Sequence, residues 1–389
     1  MIQGLILLGD FAQKQGSAEE SGHYIGTALR IAVTQNLHTE PRASSSLSEL
    51  DKEIRRRVWW SAYCAESCSA KIYGRPLLLP DDNLITVSMV SNIHENALTS
   101  SSTLLPAPTD DTTIYTGLNQ QSSYHRMANS IYHRLLSSPA VTPKDVDEAQ
   151  QKIDAWHRSS SFCVQLGDRS ARPEWHFTAR RRQILCDQSL RLLIYRPMLL
   201  HWYGLRGSSP NSNSEPTYQD QDTAGEARCR AQGLKIARTT IAMITDSFSN
   251  RHYSRLTLSF TLYAFFHALI VPLIHVKTDP WSSASISCMQ DLEKARTALD
   301  NLPIEGDAQS GYFAVVLRRL FTVASRINDS SIQSSLGLAG HAEDRTLDPA
   351  AVRRRRYDIF GGEELALLEA EDLAPSPAFG LDFSEWVHL

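Results

Sequence analysis

Four groupings in this sequence carry residue types that do chemistry, and each lacks a necessary partner. His94-Glu95 opens like a zinc-protease helix, but Leu98 stands where the second histidine belongs, so one metal ligand is missing. Cys64 and Cys68 lie four apart, on one face of a helix, with no further Cys or His close in sequence. Two ligands do not close a tetrahedral site, so they read as free thiols in a helix interface. Asp81-Asp82 and Asp110-Asp111 suggest the carboxylate–metal chemistry of helical prenyl-transfer enzymes. Neither pair has a third acid at helical spacing, and both read as solvated turns or caps. There is no phosphate-binding glycine loop, nucleophile elbow or dinucleotide fingerprint. The expectation is no catalytic residue and no resident cofactor or metal. A helical enzyme or binding protein for an apolar small molecule remains the rival reading.

The elements that would position such groups are helical. The 389 residues are 42% hydrophobic and 21% charged, ordinary for globular domains. A net charge of −4 gives no general attraction to nucleic acid or anionic membrane. Cysteines at 64, 68, 163, 186, 229 and 288 are too scattered for a disulfide framework. Ile2 to Leu8 is apolar but lacks the flanks of a secretory signal. Residues 256–276 contain no Asp, Glu, Lys or Arg and are long enough to span a bilayer. His267, His275 and Pro272 favour a buried core helix, and no membrane partner is expected.

Ile2, Leu5, Ile6 and Ala12 predict a helix over 2–15. Ser17 with Glu20 reads as a capping box for a second helix, with Tyr24, Ala28, Leu29 and Ala32 inward and Asn36 at its end. Ser46 is the predicted cap of a third helix ending near Tyr73. Its stripe is Ile54, Val58, Trp59, Ala62, Ala65 and Ile72, and its polar face Lys52, Glu53, Arg55 and Arg56. Residues 96–123 read as an exposed Ser/Thr/Pro linker. Helices are predicted over 124–136, after Thr142-Pro143, and over 175–195, 224–247, 256–276, 284–301 and 311–328, with a polar loop at 208–222. The fold class is therefore all-α, an array of antiparallel helix pairs. Four regions are expected: 1–95, the linker 96–123, a helical continuation 124–330, and a flexible tail 331–389.

Glu53 to Pro76 is the most informative stretch. Adjacent Trp59 and Trp60 bury large areas in two directions, so their helix is sandwiched between neighbours. Arg55, Arg56 and Arg57, one turn earlier, can pair with acidic groups or exposed carbonyls. Gly74 permits the positive φ of a helix end, and Arg75 can reach back to the last carbonyls. Trp59 follows the arginines and faces a core, which argues for scaffold rather than a nucleic-acid contact.

Arg55-Arg56-Arg57-Val58-Trp59-Trp60-Ser61-Ala62-Tyr63, followed by Gly74-Arg75-Pro76, resembles the middle homology region of fungal zinc-cluster (Zn2Cys6) transcription factors. Asn36-Leu37-His38, Leu79 to Val87 and Tyr195-Arg196-Pro197 are similar to further family elements. Glu66-Ser67 departs from the family's usual Asp-Arg, and Val90 from a common proline. The resemblance is dense over 1–95 and implies the regulatory domain of a nuclear, RNA polymerase II-directed regulator. That family's cluster needs six cysteines within about thirty residues, and nothing here fits. Zinc and DNA contact are thus expected only in a segment absent from this chain, which is either a fragment of a longer factor or a stand-alone relative that pairs with such factors.

Arg353, Arg354, Arg355 and Arg356 form a run suited to nuclear import or to simple solvation. From Glu363 onward seven acids and no Lys or Arg alternate with apolar residues including Leu367, Leu368, Phe379, Phe383 and Trp386. Such alternation is typical of disordered activation segments. The implied partners are coactivators or corepressors, and related factors through homo- or heterodimers.

Overall fold

The computed structural model describes residues 1–302 apart from 15–16, 43, 138–140, 161–173, 208–222 and 251–254. The predicted loop 208–222, the helix 311–328, Arg353 to Arg356 and the acidic tail lie outside the described residues. Within them the fold is all-α, as expected, with nine helices and no strand. They are α1 (Ile2–Lys14), α2 (Ala18–Thr34), α3 (Glu49–Ile72), α4 (Ile114–Ser137), α5 (Pro143–Ser159), α6 (Glu174–Gly207), α7 (Ala224–Ser249), α8 (Arg255–Thr278) and α9 (Ser283–Asp300). They fall into two compact units. Among the described residues one holds 1–140 and 148–183, the other 141–147 and 184–302, so the division falls within α5 and α6.

In the first unit α1 lies close on α2 because position 9 has no side chain. A Cβ on Gly9 would fall 2.6 Å from Ile25 Cγ1. Ala28, Leu29 and Ala32 of α2 join Val58, Trp59, Trp60 and Tyr63 of α3 in one apolar cluster. Ile85, Val87 and Val90, in an extended stretch, complete it. Burial of this area is the main favourable term for the unit. Tyr124 of α4 meets Trp156 of α5 edge-on at 5.2 Å, and Trp156 Nε1 donates to Ser123 Oγ at 2.9 Å.

Three local expectations are corrected. Ser17 precedes α2 but makes no side-chain capping bond. The cap of α3 is Ser48, not Ser46: its Oγ accepts from Asp51 N at 3.1 Å. A later start lets the acidic residues Glu49 and Asp51 occupy the first turn, where the helix dipole favours them. Finally, α4 begins at Ile114, inside the predicted linker. Asn92 explains why: its Oδ1 accepts from Thr113 Oγ1 and Thr116 Oγ1, both at 2.7 Å. That tertiary bond pins a first turn whose polar residues hide the apolar stripe.

In the second unit α7, α8 and α9 pack on one another. Phe265 of α8 sits edge-on to Phe248 of α7 at 5.7 Å, and Leu262, Ala264, Phe266, Ala268 and Leu269 are buried around it. By length and composition Phe260–Thr278 is the one stretch among the described residues able to cross a membrane, yet 67% of it is buried within the protein. It is the core helix of its unit. Tyr195 packs over Gly233, where a Cβ would meet Tyr195 Cβ at 2.9 Å, so α6 and α7 approach closely. The helix predicted over 175–195 continues through Pro197 to Gly207.

Candidate functional site: the clasp around α3

Both ends of the signature stretch are built by the same backbone device. At the end of α2, Asn36 takes φ 53°, Asn36 N donates to Val33 O, and Leu37 N donates to Ala32 O, each at 2.9 Å. At the end of α3, Gly74 takes φ 63° and Arg75 N donates to Ala70 O at 2.9 Å. These are left-handed helix terminations, with the six-to-one hydrogen bond and, after α2, a buried apolar residue, Leu37. Asn-Leu-His and Gly-Arg-Pro are therefore stop signals with a mechanism.

Between them lies a cluster of charges. Glu53, expected on the polar face, is completely buried, while Ile54, expected inside, is 41% exposed. The reason is a set of partners that no local pattern reveals. Glu53 Oε1 accepts from Arg57 Nε at 3.1 Å and from Ser91 N at 3.1 Å, and Oε2 accepts from Arg56 Nη1 at 3.3 Å. Arg56 also grips Glu40 through Nε at 3.3 Å and through Nη2, and Glu40 Oε2 accepts from Ser88 N at 2.9 Å. Arg57 Nη1 donates to Tyr115 Oη at 2.7 Å. Arg55 Nη2 donates to Gln35 O at 3.0 Å and Asn36 O at 3.1 Å, which satisfies carbonyls at the end of α2.

Two carboxylates and two guanidinium groups thus tie α3 to the extended segment 85–93 and to α4. Burial alone would raise the Glu40 carboxyl, but Arg56 and the Ser88 N–H outweigh it and hold it below its ordinary value. Burial likewise opposes the Arg56 charge, and Glu40 and Glu53 reverse that effect. A buried charge cluster is costly unless its charges are paired and hydrogen-bonded; here each carboxylate is paired, while Arg57 Nη2 is buried without a partner.

The aromatic residues complete the clasp. Trp60 Nε1 donates to Ser88 O at 2.8 Å, while Trp59, equally buried, has an indole N–H without a partner. Tyr63 Oη accepts from Asn129 Nδ2 at 3.0 Å. The same amide also donates to Ser67 Oγ at 2.9 Å, and Asn129 Oδ1 accepts from Lys71. Tyr132 Oη bonds Ala70 O at 3.0 Å and Arg75 O at 2.9 Å. Arg75 does not turn back on α3 with its side chain. It crosses to α2, with Nη1 at 3.4 Å from Ala18 O and within 2.6 Å of where a Gly22 Cβ would stand. Pro76 is exposed.

Sequence reasoning missed Glu40, Tyr115, Asn129 and Asn92. Only Glu53 left a signal, its spacing of three and four to Arg56 and Arg57.

Among the described residues the groups with chemical character do not assemble into a reactive centre. Cys64 Sγ lies 3.5 Å from Ser122 Oγ, and burial pushes its thiol up to about 12, leaving it protonated. His94 and Asp111 are exposed and 3.9 Å apart, and Asp81, Asp82 and Asp110 face solvent. Cys64, Cys68, Cys186, Cys229 and Cys288 are free thiols. Among the described residues no three His, Cys, Asp or Glu side chains gather as metal ligands, so no zinc site is assigned to them.

The arginines and tryptophans of the signature stretch are turned to partners within the protein. In comparison with known proteins, residues 1–158 match the model of the fungal specific transcription factor domain. An uncharacterised transcriptional regulatory protein of Schizosaccharomyces pombe is 23% identical over 329 residues, covering 82% of this chain and 37% of its own. Cutinase transcription factor 1 beta of Fusarium vanettenii is 22% identical over 379 residues, covering 87% and 41%. Activator of stress genes 1 of Saccharomyces cerevisiae is 22% identical over 352 residues, covering 85% and 34%. No solved structure matches. The chain spans about two-fifths or less of the length of these relatives.

Proposed function

We propose that this chain is the regulatory part of a nuclear regulator of RNA polymerase II transcription, and not an enzyme. The observation that carries the reading is the clasp around α3, which lies within the matched residues 1–158 and turns Arg55, Arg56 and Arg57 inward. With those arginines holding internal partners, DNA is read elsewhere, by a zinc cluster outside this sequence. The relatives' names, as transcriptional regulators, support the same reading across most of the chain.

In this reading the α3 clasp keeps the domain rigid. The acidic–apolar segment with Leu367, Leu368, Phe379, Phe383 and Trp386 folds onto a coactivator groove, apolar side chains inward. Arg353 to Arg356 direct nuclear import, and corepressor contact or pairing with a related factor sets the level of activity. The genes served belong to nutrient use or secondary metabolism.

The test tethers the full chain, and separately residues 357–389, to a foreign DNA-binding domain upstream of a reporter. The tail fusion is expected to activate, and the full chain to change reporter output in a way that depends on the clasp. Nuclear, well-expressed fusions that leave the reporter at the level of the bare DNA-binding domain would overturn the proposal.

A further inference from the structure

α3 and α4 run side by side in the same direction and in one register. Arg57 Nη1 donates to Tyr115 Oη at 2.7 Å, Cys64 Sγ lies 3.5 Å from Ser122 Oγ, and Lys71 Nζ donates to Asn129 Oδ1, each pair 58 residues apart. Steps of seven, about two helical turns, keep the same two faces together. On α4, Ser122, His125, Asn129 and Tyr132 fall in one row at spacings of three and four. Ser122, Asn129 and Tyr132 all contact or bond α3. His125, between them, is 3% exposed, and its Nδ1 is buried without a partner. Cys68, one turn beyond Cys64 on α3, falls level with residues 125 and 126 in this register.

Thiols four apart on a helix stand on Cβ atoms about 5–6 Å apart. A disulfide needs about 3.5–4.5 Å, so this pair does not close on itself. One soft atom at about 2.3 Å from each sulfur does bridge it, because the sulfurs need only approach to within about 4.6 Å. Ser122 Oγ donates to Leu118 O at 2.7 Å, so in the Cys64–Ser122 contact the thiol is the donor. Burial keeps that thiol protonated, and burial, with Lys71 and Arg182 nearby, keeps His125 neutral. A neutral site disfavours Cu(I), which would displace two protons and leave a net negative charge between the helices. Arsenous acid, As(OH)3, leaves no such charge. Two As–S bonds form and two As–O bonds break, each thiol proton leaves on a displaced hydroxide as water, and charge and oxidation state are unchanged. Arsenic then keeps one hydroxyl, which needs an acceptor.

We propose that Cys64 and Cys68 capture trivalent arsenic, which bridges the two sulfurs on α3 and donates its remaining hydroxyl to His125 Nδ1 on α4. Both cysteines are partly exposed, so arsenite reaches them. The site lies on the helix of the clasp, yet it rests on the α3–α4 register and the two thiols, independently of the transcriptional reading.

The reduced full chain is titrated with sodium arsenite and read by intact mass. One arsenic per chain is expected below ~100 µM arsenite. Arsenite should also shield Cys64 and Cys68 from alkylation and leave Cys186, Cys229 and Cys288 as reactive as before. Cys64→Ala and Cys68→Ala should each raise Kd at least about hundredfold, since a single thiol forms no chelate. Cys229→Ala should leave it unchanged. His125→Leu should keep the stoichiometry and raise Kd about fivefold, the loss of one hydrogen bond. Circular dichroism checks that each variant folds, and the shielding test on the unaltered chain needs no variant. No arsenic bound at ~1 mM arsenite would overturn the proposal. So would arsenic held while either Cys64 or Cys68 stays open to alkylation, or an affinity equal to that of the unaltered chain in both alanine variants. An affinity indifferent to His125→Leu would overturn the part given to His125.

Discussion

α3 and α8 are both 24-residue helices at the centre of their units, and they are held by opposite means. α8 is buried through Leu262, Phe265, Phe266 and Leu269, and its neighbours ask only for apolar volume. α3 buries two tryptophans as well, but it also buries Glu53 and Glu66 and shields two arginines. The difference follows from what each must hold. α8 packs against helices, whose backbone groups are already satisfied. α3 packs against the extended segment 85–93, whose N–H and C=O groups have no helix of their own. Ser88 N, Ser91 N and Ser88 O find partners in Glu40, Glu53 and Trp60. Buried charge here is the means of fixing irregular backbone.

The contrast can be broken at its strongest points. Glu53→Ala leaves Arg56 without one of its two carboxylates and Arg57 without its only carboxylate in that cluster. It should cost about 3–5 kcal/mol, as removal of one member of a buried ion network does. Phe265→Ala should cost a similar 3–5 kcal/mol through a cavity alone. Denaturant titration gives both totals, and hydrogen exchange should localise the first to Ser88 and Ser91 and the second to α8. Equal loss of protection in both places would erase the distinction.

A finer test separates the two tryptophans. Trp60→Phe removes the hydrogen bond to Ser88 O and should cost about 1 kcal/mol more than Trp59→Phe, whose N–H has no partner to lose. Equal losses would deny the indole bond a role.

Acid should act on both helices for different reasons. His267 of α8 lies against Tyr263 at 4.5 Å, and burial lowers its folded value to about 3. Its unfolded value is near 6.5, so the unfolded state takes the proton first, and stability falls as pH drops from about 6.5 toward 3. Glu40 is held below its ordinary value, so its contribution is present above about 4.5 and is lost as pH falls through the lower folded value. His125 and His275 are also lowered by burial, so melting temperatures at pH 7 and pH 5 should move closer together in His267→Leu without meeting, and should not do so in Glu40→Gln. The smallest effect expected is that of Arg228→Ala, which removes an exposed pair with Asp147 and should change stability by under about 1 kcal/mol.

Much of the framework was legible. The periods of α1 to α3, the stops at Asn36 and Gly74, and the apolar length of α8 are local properties, and local rules located them to within a residue or two. Where reading failed, a distant partner had decided the outcome. Ser48 rather than Ser46 starts α3. Ile114 rather than Tyr124 starts α4, because Asn92 supplies the bonds. Glu53 and Ile54 exchanged their expected faces because Ser91, Arg56 and Arg57 converge on the carboxylate.

The sequence by itself determined that this chain is helical, where most of its helices stop, and that Glu53 to Pro76 resembles the signature of fungal transcription factors. Those features are carried by residues within a turn or two of one another, so their energies are local. Only the tertiary structure decided that the three arginines face inward and that Glu40 and Glu53 share them. Ion pairs and burial depend on residues tens of positions away, and no spacing rule carries that information.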